Sequence, residues 1–378
     1  MWSSQRYLKE GKLRNIDGVL LQSAHSELLR LNRKRPPIPP ILSLAHLAHL
    51  SGVSHDFLRQ IVGREVESPY RGFVVRKRSG GYRRISVPQA ELKKVQGWIA
   101  GKILRHQPVH EASQAFSPLD STVKCATIHC GAKWLIKMDV ADFFGSITEI
   151  QAYRVFRQLG YRSLVAFELA RICTDKVAQS AKYELQNWKA RKFDYKIRQY
   201  QQPVLGRLPQ GASTSPMLAN LAMYPIDEEL QEIATAHKLR YTRYSDDITF
   251  STTEKKFTRQ DAVAVIEKAT RVLKSVGLFP NNRKTNIVPP GARKVVLGLL
   301  VDRDSPALSR EFKDSLRMHL FFLLKDNGIE NHAATRGFDS IGGLYRHILG
   351  TINYAKMVDE DFSIEMRELF YKVPWPSE

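Results

Sequence analysis

"LRYTRYSDDITFS", residues 239–251, sets two adjacent carboxylates, Asp246 and Asp247, between two runs that alternate apolar and polar residues as a half-buried strand does. Almost nothing separates the runs, so the stretch predicts a tight β-hairpin with the aspartates at or beside its turn. A turn accounts for one aspartate, because Asp bonds its own backbone there. It does not readily account for two, since adjacent like charges repel unless something positive lies between them.

A third carboxylate stands in a comparable context. "KWLIKMDVADFFGSI" (133–147) reads as a buried strand that closes on Asp139 and is followed by Asp142, Phe143 and Phe144. If the two strands are neighbours in one sheet, Asp139 and Asp246 converge on Mg²⁺, a hard ion that takes oxygen ligands and leaves room for substrate phosphates. Two such ions about 3.5–4 Å apart would activate a hydroxyl nucleophile and stabilise a leaving pyrophosphate.

The composition agrees with a phosphate-rich partner. Lys and Arg number 58 against 38 Asp and Glu, a net charge of +20 on an otherwise ordinary globular composition with 43% hydrophobic residues. The 378 residues suffice for a large core in two or three domains or subdomains. Cys125, Cys130 and Cys173 are too few and too odd in number for a disulfide framework, and "MWSSQRYLKE" lacks the apolar stretch of a secretory signal, so the expected location is the cytoplasm. "VVLGLLV" (295–301) is short and "LRMHLFFLLK" is interrupted by Arg317 and His319, so no membrane span is expected.

Working outward, "IDGVLLQSAHSELLRLN" predicts an amphipathic helix that meets the stiff basic stretch "RKRPPIPP" (33–40). "SLAHLAHLSGVSHDFLRQIVG" predicts two short helices capped by Ser43 and Ser54 and parted by Gly52, either a DNA-reading helix-turn-helix or a helical packing unit. "GFVVRKRSGGYRRISVP" predicts a basic hairpin, and a longer helical stretch is expected from the end of the Asp139 segment to about Ser180. Beyond it, "KYELQNWKARKFDYKIRQYQQ" interleaves six Lys or Arg with five aromatics, a pattern that suits a nucleic-acid backbone plus stacked bases, or a solvated amphipathic helix.

"YSDD" resembles the YxDD box of reverse transcriptases, "KMDVADFF" their first catalytic motif, and "LPQGASTSPMLANL" their nucleotide-site motif. The resemblance extends to "KRSGGYRRISVP" as the fingers, "GLFPNNRKTNIV", and "LYRHILGTINYAK" as the thumb helix, and is best for retron enzymes. Two retron marks depart from the pattern: NAxxH stands as Cys125-Ala126-Thr127-Ile128-His129 and VTG as Val296-Leu297-Gly298, which keeps other bacterial defence reverse transcriptases as the alternative. The implied fold is α+β, a right-hand polymerase with fingers, an antiparallel-sheet palm, a thumb and a helical N-terminal extension. Its expected divisions are an extension and basic linker (1–42), fingers with the helix pair (43–132), palm with a basic and aromatic insertion at about 180–203 (133–304), and a helical thumb (305–378).

The resemblance also implies roles. Asp139, Asp246 and Asp247 hold two Mg²⁺ ions, with the carbonyl of Val140 as a further ligand. Arg83 and Arg84 clamp the incoming triphosphate, and guanidinium geometry suits them to this. Asp142 touches the triphosphate through its main chain or caps a helix; Phe144 excludes a 2′-hydroxyl or is plain core. Gln210 and Gly211 lie against base and sugar, and Lys284 protonates the pyrophosphate or is surface decoration. RNA contacts fall to Lys189, Arg191 and Lys192; Arg76 and Lys77 contact template phosphate or are solvated finger residues, and His129 orients a loop or contacts RNA. Zinc is rejected for Cys125, His129 and Cys130, because "CATIHC" lacks the ligand spacing of a structural site. The implied activity is RNA-directed DNA synthesis on a cognate noncoding RNA, from dNTPs, giving a short single-stranded DNA product in anti-phage defence with a separate effector protein. A DNA-binding regulator using residues 43–62 and a silent RNA-binding scaffold are the competing classes.

Overall fold

The computed structural model describes residues 4–76, 80, 82–118, 120–176, 205–325 and 328–376. Lys77, Lys189, Arg191, Lys192 and the whole of the basic and aromatic insertion lie outside the described residues.

In chain order the elements are α1 (Ser4–Leu13), α2 (Gly18–Asn32), α3 (Leu44–Ser51), α4 (His55–Gly63), β1 (Tyr70–Arg76), β2 (Tyr82–Pro88), α5 (Ala90–Ile99), α6 (Thr122–Ile128), β3 (Trp134–Asp139), α7 (Phe143–Ser146), α8 (Glu149–Leu159) and α9 (Ser163–Ile172). There follow α10 (Ser215–Ala236), β4 (Arg240–Tyr244), β5 (Asp247–Thr252), α11 (Arg259–Ser275), β6 (Asn286–Val288), β7 (Val295–Val296), β8 (Leu299–Leu300), β9 (Ala307–Leu308), α12 (Arg310–Leu323), α13 (Gly328–Arg336), α14 (Ile341–Lys356) and α15 (Glu360–Lys372). Local chemistry sets these limits. Asp17 starts α2 by accepting from the Leu20 amide, and Ser43 starts α3 by accepting from His46. Ser54 makes no such side-chain bond, and the carboxylate of Asp56 lies in the first turn of α4 instead. The helical stretch expected up to Ser180 is two helices: α8 opens on a Thr148–Gln151 capping box and stops at Gly160, whose φ of 109° belongs to glycine.

The chain divides into two compact units. Met1–Pro118, Asp139–Gln231 and Ala269–Asn281 form one; Leu119–Met138, Glu232–Lys268 and Asn282–Glu378 form the other.

In the first unit β1 and β2 form an antiparallel hairpin, Tyr70 opposite Pro88 and Arg76 opposite Tyr82. The helix pair turns Leu44, Leu47, Leu58, Ile61 and Val62 inward, and the Val62 carbonyl accepts from Arg171, so the pair is built into the unit as its packing alternative expects. A charged network lies at the centre. Glu149, fully enclosed, takes Arg64 on one oxygen and Arg171 on the other at 2.9 Å, and also accepts from the Gly206 amide. Such a network holds because one carboxylate meets both guanidinium groups directly. Beside it, Asp175 and Arg207 exchange mutual backbone bonds of 2.9 Å.

The second unit holds a four-stranded sheet in the order β4-β5-β3-β6, with β4/β5 and β3/β6 antiparallel. Tyr241 and Phe250 face each other across β4/β5 with ring centroids 5.0 Å apart, which pins the register. A smaller sheet, β7-β8-β9, follows. One apolar cluster joins Leu135 and Leu299 to Leu316 and Leu320 of α12, Leu344 and Ile348 of α14, and Met366 and Phe370 of α15. Among the described residues no helix is long and apolar enough to cross a membrane.

Candidate active site

The opening stretch folds as the expected hairpin, but its arms are not half-buried: Tyr241, Thr242 and Arg243 are enclosed in succession, as are the residues from Ile248 to Thr252, so both faces are covered. Tyr244 pairs with Asp247, leaving Ser245 and Asp246 as a two-residue turn, with Ser245 at a φ of 59°. Asp246 therefore sits in the turn itself and Asp247 is the first residue of β5. The side chain of Arg243, fully buried, donates to the Ser245 carbonyl at 3.1 Å and braces the turn from within.

β5 lies beside β3 in the sheet. The Lys133 amide donates to the Thr252 carbonyl at 2.8 Å, which ties the start of β3 to the end of β5. β3 closes on Asp139, which is 5% exposed.

His129 corrects the sequence reading. Its ring is fully enclosed, so it has no surface to offer RNA. Nδ1 lies 2.7 Å from Ser251 Oγ and Nε2 lies 2.7 Å from Thr242 Oγ1, one hydroxyl on each arm of the aspartate hairpin. Burial, reinforced by the cationic side chain of Arg240, pushes its pKa down to about 3 and keeps the ring neutral. Cys125 lies in the same place, its thiol donating to Thr242 Oγ1 at 3.4 Å. The pattern of the sequence marked His129 as notable, but no periodicity reveals that both ring nitrogens are taken.

In the first unit, the segment 279–281 runs along 139–141. The Asn281 amide donates to the Asp139 carbonyl at 2.7 Å, Asn281 Nδ2 lies 3.3 Å from Asp139 Oδ2, Ala141 donates to the Phe279 carbonyl, and buried Val140 bridges to Pro280. Asn281 is the residue that orients the Asp139 carboxylate, a role that the reading of "GLFPNNRKTNIV" did not single out. Asp142 is exposed with a φ of 47°; its side chain does not cap α7, while its carbonyl accepts from Ser146. Phe144 sits between two rings, 5.5 Å from Phe143 and 6.2 Å from Phe116.

The PQG segment docks on the basic hairpin. Ser86 of β2 donates its amide to the Gln210 carbonyl at 2.8 Å. Gly211 has a φ of 126°, and a Cβ there would stand 2.8 Å from the Ser86 carbonyl oxygen, so only glycine permits the approach. Arg83 and Arg84 stand exposed three and two positions before Ser86, opposite Val75 and Val74, and Arg76 is exposed near the hairpin tip. Gly72 faces Arg84, whose Nε would be 3.5 Å from a Cβ on that glycine. Ser86 thus joins Arg83, Arg84, Gln210 and Gly211 in one cluster. Lys284 is exposed in the turn before β6.

Asp246 and Asp247 in the second unit, and Asp139 with the Val140 carbonyl in the first, each offer oxygen, the donor type a hard divalent ion takes. Among the described residues, no three His, Cys, Asp or Glu side chains are gathered in a metal-holding cluster.

Residues 75–301 match the reverse transcriptase (RNA-dependent DNA polymerase) family. The chain belongs to that family. Among its relatives is the retron Ec86 reverse transcriptase of Escherichia coli, 31% identical over 266 residues, which cover 69% of this chain and 73% of that enzyme. The retron Ec73 reverse transcriptase of the same organism is 30% identical over 81% of this chain and 89% of the relative. The retron Mx65 enzyme of Myxococcus xanthus is 30% identical over 79% of this chain, which spans 63% of that protein. Solved structures with a related course include a foamy viral protease-reverse transcriptase in complex with double-stranded DNA (17% identity, 80% of this chain and 38% of that one, TM-score 0.40). Telomerase from Candida albicans is a second (14% identity, 80% and 60%, TM-score 0.40). The protein is a bacterial retron-type reverse transcriptase, an RNA-directed DNA polymerase of right-hand α+β fold. Membership of the reverse transcriptase family implies an RNA template and a divalent metal requirement.

Proposed function

We propose that this reverse transcriptase copies part of a cognate structured noncoding RNA into a short single-stranded DNA that stays joined to it, using dNTPs and two Mg²⁺ ions, and that the complex serves anti-phage defence with a separate effector protein. The observation that supports the catalytic part is the two-residue turn at Ser245-Asp246, which sets Asp246 in the turn and Asp247 at the first position of β5.

In this reading Asp139, Asp246, Asp247 and the Val140 carbonyl would hold the ions. When bound, the ions supply activation of the primer hydroxyl and charge neutralisation at the phosphates. A ribose or deoxyribose hydroxyl oxygen bonds to the α-phosphorus of the dNTP, and the bond from that phosphorus to the bridging oxygen breaks to release pyrophosphate. Arg83 and Arg84 hold the triphosphate in line and offset its charge. Lys284 delivers a proton to the leaving pyrophosphate. Gln210 and Gly211 form the surface under base and sugar, and Phe144 closes the space that a 2′-hydroxyl would need. Fingers, palm, thumb and extension follow the divisions at 42, 132 and 304. Arg76 contacts template phosphate, as Lys77, Lys189, Arg191 and Lys192 are expected to do.

The test isolates nucleic acid copurifying with wild type and with Asp246→Asn and compares RNase, DNase and debranching-enzyme sensitivity. Short DNA joined to RNA in the wild type alone supports the reading. Unbranched DNA keeps the polymerase and excludes the retron product, and identical RNA in both samples favours a binding scaffold.

A further inference from the structure

Within the first unit, the basic linker after α2 packs against α8 and α10 and leaves a cavity of about 340 Å³ between them. The aspartates and the PQG cluster are not among its lining residues. The chemistry of the lining is mixed in a particular way. Lys34 and Arg35 bring two cations; Gln107 and Gln158 bring amide groups; Tyr224 brings an aromatic ring; Leu221 is among the apolar remainder. Tyr224 is held edge-on by His110 at 5.5 Å and is still 38% exposed, so its ring is fixed in place and accessible. Arg35 is exposed, and Lys34 is anchored by donating to the Gln158 carbonyl at 3.3 Å.

We propose that this cavity binds one unstacked nucleotide of the RNA partner, away from the polymerising centre; the inference rests on the reading of the protein as an RNA-bound reverse transcriptase. A volume near 340 Å³ falls at the lower end of small-ligand sites, about 300–1,000 Å³, and so admits a single nucleotide and excludes a duplex. A flipped or looped base offers a π-face, a polar edge and a phosphate. Tyr224 supplies the stacking partner, Gln107 and Gln158 the edge contacts, and Lys34 and Arg35 the phosphate contacts. Charge selects the occupant: a chain of net charge +20 that places Lys34 and Arg35 at this cavity favours a polyanion over a neutral peptide. The site gives the linker a specific task, reading one position of a structured RNA that the active site must treat without sequence preference.

The experiment photocrosslinks a pool of short 4-thiouridine-substituted single-stranded RNAs to the full chain, maps the adducts by mass spectrometry, and measures binding with fluorescein-labelled RNA. Adducts on the linker, α8 or α10 that vanish in Tyr224→Ala, with binding weakened by about tenfold, are expected for the loss of one stacked base. Lys34→Glu should flatten the salt dependence, and primer extension on a generic primed template should stay unchanged in both variants. Adducts confined to other surfaces, or equal competition by an RNA duplex of the same sequence, would overturn the proposal and leave the polymerase reading intact. A copurifying protein lost in Tyr224→Ala while RNA binding persists would overturn it in favour of a peptide. Absence of all RNA binding together with absent extension would remove the functional reading itself.

Discussion

His129 and Thr242 meet at 2.7 Å inside the second unit, and through its other nitrogen the same ring reaches Ser251 on the facing strand. Thr242 and Ser251 lie on opposite arms of the hairpin that carries Asp246 and Asp247, so one imidazole staples the arms together below the turn. A neutral ring donates from one nitrogen and accepts at the other, and two hydroxyls suit it in either tautomer. His129→Ala should leave both hydroxyls buried without this partner and lower stability by about 1–3 kcal/mol. Because the hairpin carries the aspartates proposed to hold metal, kcat should fall further than KM for dNTP rises. Chemical unfolding and steady-state kinetics test both; unchanged kcat in the folded variant would restrict His129 to stability.

The same residue makes an acid-sensitivity prediction. Its pKa in the folded chain, about 3, lies below the unfolded value near 6.5, so the folded state binds the proton less readily. Its stability contribution is complete above about pH 6.5 and is lost as pH falls from there toward 3, at up to about 1.4 kcal/mol per pH unit. Urea midpoints measured at about pH 7 and about pH 5 should separate more for wild type than for His129→Gln, which has no imidazole to protonate.

Gly211→Ala should damage nucleotide use with little global loss. The added methyl would meet the Ser86 carbonyl oxygen at 2.8 Å at a backbone φ of 126°, so the Gln210–Ser86 contact has to open. We expect KM for dNTP to rise by about tenfold or more, since a misplacement of about 1 Å near a reacting group is that costly. Thermal unfolding run beside the kinetics separates a local shift from a loss of fold.

Phe144→Ala should relax discrimination against ribonucleotides. Flanked by Phe143 and Phe116, the ring is braced on two sides, and its removal opens space without a polar replacement. Incorporation ratios of each rNTP to its dNTP should rise, and unchanged ratios would assign the ring to the core.

Glu149→Gln should cost about 3–5 kcal/mol, the loss expected when one partner of a buried ion network is removed and its cations stay behind. Arg64 and Arg171 would both remain enclosed without their counter-charge. Urea unfolding of the intact chain reads this directly.

What the sequence disclosed and what it hid follow one physical line. Local patterns were readable: the hairpin around Asp246, the Ser43 cap and Gly52 stop of α3, and the strand that closes on Asp139 all depend on near neighbours. Gly160 as a helix stop inside an apolar-periodic stretch was not, because one glycine in such a run ends a helix only when its φ turns positive. The buried placement of His129 and Glu149 was invisible for a different reason. Both are polar types that a one-dimensional reading assigns to surfaces, and their partners lie 113 residues away at Thr242 and 85 away at Arg64. The partnership of Asn281 with Asp139 was hidden because it spans 142 residues and is set by the pairing of two backbone segments.

The mutual bonds between Asp175 and Arg207 have a use beyond holding the first unit together. A hydrogen-bonded pair of this kind fixes its two Cα atoms about 5.5 Å apart, close enough for any intervening length of chain to be exchanged. The junction is therefore a natural cassette boundary. A segment of different length or sequence grafted between these two points should leave the polymerase fold on either side in place.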